Sequence, residues 1–105
     1  MNALLTGSDV RAQAGCIAFR TTTAGTEILL VTRRSGEGWT IPKGCREPGR
    51  TAPDTARSEA LEEGGVDGTL SPFPVGRCDY QKFGVTCRVE VFVMEVRQIY
   101  PTWAE

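Results

Sequence analysis

The last third of the chain alternates. In residues 85–96 (VTCRVEVFVMEV), valines recur at 89, 91 and 93. Period two marks a strand with one face on a core. Residues 75–83 predict its hairpin partner, with the turn near Gly84. Towards the N-terminus, residues 15–19 (GCIAF) predict a first strand and residues 21–26 a turn. Residues 27–32 (EILLVT) form a near-continuous apolar run, which suits a strand buried on both faces or lying mid-sheet. Residues 39–42 (WTIP) predict a short extended piece, because the residue before proline avoids the helical region. Gly44, Pro48 and Gly49 make residues 43–50 irregular.

In the middle of the chain the signals are those of a helix. Thr51 can cap it, Pro53 is tolerated in its first turn, and Asp54 falls at its third position. The helix runs on to Glu63 and stops at Gly64-Gly65. Residues 68–74 predict a loop, and residues 98–105 a short tail carrying Trp103. The order strand, strand, loop, helix, strand, strand is a mixed α/β pattern. A length of 105 residues fits one domain over 1–105, with residues 1–11 as a loose leader.

Composition narrows the chemistry. With no histidine, histidine bases, Ser-His and Cys-His pairs and histidine-bearing zinc sites are excluded. Cys16, Cys45, Cys78 and Cys87 show no C-x-x-C spacing, which argues against a zinc ribbon and a disulfide scaffold. Reduced thiols in a cytoplasmic protein are the expectation. Net charge is −1, so a nucleic-acid role gains no support. No apolar run approaches the ~20 residues of a membrane span, and no secretory signal opens the chain.

Glu59, Glu62 and Glu63 share one face of the expected helix. Like charges at that spacing cost about 0.2–0.5 kcal/mol per pair. A hard divalent cation such as Mg²⁺ or Mn²⁺ removes the penalty, because carboxylate oxygens suit it. Eight basic residues precede the cluster: Arg11, Arg20, Arg33, Arg34, Lys43, Arg46, Arg50 and Arg57.

Residues 44–66 resemble the Nudix box, G-x5-E-x7-R-E-U-x-E-E-x-G-U, at Gly44, Glu59, Glu62, Glu63, Gly65 and Val66. Ala60 fills an apolar position with a smaller residue than usual. Arg50 stands where the first glutamate belongs, and Ser58 where the arginine belongs. The preceding GWTIPKG (residues 38–44) is similar to the W-x-x-P-K-G lead-in of Nudix enzymes acting on dinucleoside polyphosphates and inositol pyrophosphates. Residues 87–92, 95–96 and 103–105 look like bacterial diphosphoinositol polyphosphate phosphohydrolase-like members.

The resemblance implies an α/β/α sandwich with a mixed sheet. Its second main helix would follow the last strands, and the chain stops at Glu105 where that helix should come. An under-covered sheet face, and a homodimer that covers it, follow as expectations. The implied activity is Mg²⁺-dependent hydrolysis of an organic di- or polyphosphate by water attack at phosphorus. Implied metal ligands are Glu59, Glu62, Glu63 and a backbone carbonyl at Lys43 or Gly44, with Glu62 as base. Glu90 or Glu95 could add a ligand. Ser58 cannot orient Glu59 as an arginine would. Lys43, Arg11, Arg33, Arg34 and Arg50 are candidate phosphate contacts. Trp39 packs, or stacks on a base or sugar. The alternative is a degenerate domain that binds a phosphorylated ligand or partner without hydrolysis.

Overall fold

The computed structural model describes residues 10–33 and 36–101. Arg34, Trp103 and Glu105 lie outside them. The elements are β1 (Val10–Thr22), β2 (Gly25–Ile28), β3 (Val31–Thr32), β4 (Trp39–Thr40), β5 (Lys43–Cys45), α1 (Ala52–Gly64), β6 (Val66–Leu70), β7 (Gly76–Lys82) and β8 (Val85–Ile99). The main sheet is mixed and runs β2-β1-β8-β6, with β5 also on β1 and β7 also on β8. β1 and β8 pair in parallel over ten residue pairs, Val10–Thr86 to Phe19–Glu95. β3 and β4 form a separate two-stranded ribbon.

The helix forms as its caps dictate. The Thr51 hydroxyl accepts from the Asp54 amide at 3.2 Å. Pro53 sits in the first turn, where its missing N–H costs nothing. Gly65 ends the helix at φ 66°, with its N–H reaching the carbonyls of Ala60 and Leu61. Ala52, Ala56 and Ala60 are buried against Ala14, Cys16, Ala18, Phe92 and Met94. Small residues on both sides let the helix lie close to the sheet, and Phe92 and Met94 fill the remaining volume. Burial pushes the Cys16 thiol up to about 12, so it is inert at neutral pH. Among the described residues α1 is the single helix, and none is long and apolar enough to cross a membrane.

Several expectations change. Residues 43–45, expected to be irregular, form β5 paired with β1, and Gln98 and Ile99 extend β8 rather than the tail. Val10 and Arg11 belong to β1, so they are not part of a leader. Residues 27–32 do not form one buried strand. The run breaks between β2 and β3, and β2 lies at the sheet edge with Ile28 56% exposed. An edge strand has one neighbour, so an apolar run alone does not bury it. Residues 68–70 are strand, because β6 pairs antiparallel with β8 through a bulge between Asp67 and Gly68. Finally, the valine face of β8 is not its sole core face, since Phe92 and Met94 are buried on the other side.

The β7–β8 hairpin carries a local conflict. Its two-residue turn is Phe83-Gly84, at φ 52° and 75°. Such turns favour Asn-Gly, and a bulky residue with positive φ is strained. Phe83 is 92% exposed, so little burial offsets the cost. Phe83→Asn is expected to stabilise the protein by about 1 kcal/mol. An unchanged urea midpoint would contradict this.

Candidate active site

β5 and α1 meet at Gly44. A Cβ placed there would lie 2.6 Å from the Glu59 carboxyl carbon and 2.7 and 2.8 Å from its oxygens. The carboxylate therefore rests on bare backbone, in space that only glycine leaves. One residue earlier, the Lys43 amide donates to Glu63 Oε1 at 3.0 Å. Two of the three box carboxylates are thus anchored at the start of the loop. Glu62 is exposed and makes no hydrogen bond or ion pair with another described residue.

Register places a fourth carboxylate on the same side. Gly44 pairs with Ala14, Ala14 with Glu90, and Glu90 with Arg77. Directly paired residues share a face, so this row crosses β5, β1, β8 and β7 on the face that α1 covers. Glu90 is therefore on the helix side. Glu95 has the opposite parity, and its carboxylate is held by Arg97 at 2.8 Å.

The two positions that depart from the box pattern meet in space. Arg50 Nη2 donates to Ser58 Oγ at 3.1 Å and to the Asp54 carbonyl at 3.4 Å. Arg50 thus tethers the loop to the helix. Arg57 is not free to orient Glu59 in place of an arginine at position 58. Its Nε and Nη2 grip both oxygens of Asp67 on β6, at 2.8 and 3.0 Å. That grip is the main cause holding the Asp67 carboxyl below its ordinary value.

The expected phosphate contacts are dispersed. Lys43 follows the strand alternation to the sheet face away from Glu59. Its ammonium lies 4.6 Å from the Tyr80 ring centre and donates to the Tyr80 hydroxyl at 3.3 Å. The Tyr80 hydroxyl in turn donates to buried Gln13 at 2.8 Å. Arg11 has the same parity as Gln13, so it too lies on the far side. Arg33 sits in the β3–β4 connection, and Trp39 is 65% exposed rather than packed. Arg77 and Arg88, both downstream of the box, share the helix-side face with Glu90 instead. Their signal in the sequence was parity: Arg88 and Glu90 alternate with Val89 and Val91.

The donors present fit a hard divalent cation. All are oxygens, and the glycine at 44 leaves clear the space where Glu59 sits. They are a set of donors and not a formed cage: among the described residues, no three acidic or cysteine side chains are gathered closely enough to hold an ion.

The fold and this loop–helix unit define a class, and the chain belongs to the Nudix family, matching the NUDIX domain over residues 9–98. It is 29% identical over 113 residues to Nudix hydrolase 16, mitochondrial, of Arabidopsis thaliana, covering 90% of this chain and 62% of that protein. Nudix hydrolase 12, mitochondrial, of the same plant is 29% identical over 87 residues, covering 75% and 43%. The chain thus spans less than two thirds of the length of these relatives. Among solved structures, a C. elegans Ap4A hydrolase in a binary complex shares the fold at TM-score 0.71 and 22% identity, covering 90% and 76%. A MutT protein from Methanosarcina mazei does so at 0.71 and 18%, covering 96% and 77%.

Proposed function

We propose that this chain is a divalent-cation-dependent pyrophosphohydrolase acting on an organic di- or polyphosphate. The observation that carries the reading is the Glu59 carboxylate seated on the Gly44 backbone, with Glu63 tied to the neighbouring amide. Glu59, Glu62, Glu63 and the Gly44 carbonyl are the residues that would hold Mg²⁺ or Mn²⁺. When bound, the cation supplies charge neutralisation at the diphosphate and a more acidic water. Glu62, exposed and without a partner among the described residues, takes the proton of the attacking water. The water oxygen bonds to phosphorus, and the anhydride P–O bond breaks.

A second reading, ligand binding without hydrolysis, is favoured by Ser58. Ser58 puts no charge at the position of the box arginine, while Arg57 is committed to Asp67. A panel of nucleoside diphosphate conjugates, dinucleoside polyphosphates and inositol pyrophosphates, with and without Mg²⁺, separates the two. Metal-dependent phosphate release that Glu62→Gln abolishes is the expected result. Thermal stabilisation by a ligand with no turnover would decide for binding alone.

The four free cysteines support a reducing, cytoplasmic setting, which fractionation tests. The sheet face that no helix covers among the described residues, together with the exposed Ile28, supports self-association, which sedimentation tests.

A further inference from the structure

A groove of about 740 Å³ opens on the helix side of the sheet, beside the carboxylate row. Val10, Ala12 and Val75 are among its apolar lining residues, and its polar groups are Arg77, Arg88 and Glu90. An apolar trough with a few convergent polar groups is the usual form of a small-molecule site. In the row, buried Ala14 lies between Gly44, where Glu59 rests, and Glu90 at the edge of the groove.

The two arginines differ. Arg88 is clamped by Asp79, with Nε at 3.0 Å and Nη2 at 2.9 Å. Arg77 makes no hydrogen bond to a described residue, and its charge acts on the same Asp79 from a greater distance. Three strand spacings of ~4.8 Å place its backbone about 14 Å from Gly44. Carboxylates for a cation thus stand at one end of the row, and at the other a guanidinium that makes no hydrogen bond. Guanidinium matches phosphate bidentately.

We propose that Arg77 binds a second phosphate of the substrate, beyond the diphosphate held at Glu59, Glu62 and Glu63, and so selects for polyphosphorylated ligands. This rests on the function proposed above, but its test does not require turnover.

The test is calorimetric binding of ADP and adenosine tetraphosphate, with Mg²⁺, to the wild-type chain, Arg77→Ala and Arg97→Ala. Arg97 is the charge-matched control, because it is exposed and paired with Glu95 outside the groove. Wild type is expected to bind the tetraphosphate more tightly. Arg77→Ala should weaken tetraphosphate binding about tenfold and ADP binding less than twofold, with Arg97→Ala unchanged for both. Equal losses for the two ligands, no loss for either, or no wild-type preference for the tetraphosphate would each overturn the proposal. Selective weakening in a protein that hydrolyses nothing would leave the subsite standing and remove the hydrolase reading.

Discussion

Glutamine in place of Glu59 is expected to lower kcat/KM by at least about 100-fold. Loss of a residue that merely orients a metal ligand typically costs ~10–100-fold, so loss of a ligand, the role proposed for Glu59, should reach the upper end or exceed it. Unfolding should barely move, because the substitution keeps the side chain's shape over Gly44. Gly44→Ala is the sharper companion. The new methyl would meet the carboxylate of Glu59 at 2.6 Å, but that carboxylate is the end of a flexible side chain. The fold should survive while Glu59 is pushed aside, and the metal concentration for half-maximal activity should rise ~10–100-fold. Full activity in Gly44→Ala would show that the glycine does not set the position of Glu59.

Gly68→Ala should produce the largest loss of stability. A Cβ there would lie 2.0 Å from the Glu95 carbonyl oxygen and 2.9 Å from the Arg97 amide nitrogen. Both belong to the backbone of β8, which no rotamer change relieves. Overpacking of this kind costs typically ~1–3 kcal/mol, and an immovable neighbour puts the cost at the top of that range. For a domain whose total stability is about 5–15 kcal/mol, the shift is easily read in a urea titration. A wild-type midpoint would mean that the bulge relaxes freely.

Legibility in the sequence followed the range of the interaction. The helix was plain because its signals are local: Thr51, Pro53, Asp54 and the closing glycines act within one turn. The β7–β8 hairpin was plain for the same reason. β6 was hidden because Val66-Asp67-Gly68-Thr69 carries turn formers. Asp67 is tied to Arg57 from the helix, and Gly68 is needed for close approach to β8, and neither reason shows along the chain. The box glutamates were visible by spacing, whereas the far-side position of Lys43 required strand parity. Arg77 required a register across three strand pairs. The bond between Arg50 and Ser58 turns two separate departures from the pattern into one contact.

The parallel pairing of β1 with β8 has a temporal consequence. These strands come from opposite ends of the described chain, and the whole loop–helix unit lies between them. Closing so long a loop costs entropy before any of the ten residue pairs returns stability. On the ribosome, β1 waits with one edge bare until β8 has emerged. The row from Gly44 to Glu90 spans β5, β1 and β8, so it is incomplete until β8 pairs with β1. An unfinished chain therefore holds every box glutamate without the Glu90 side of the groove.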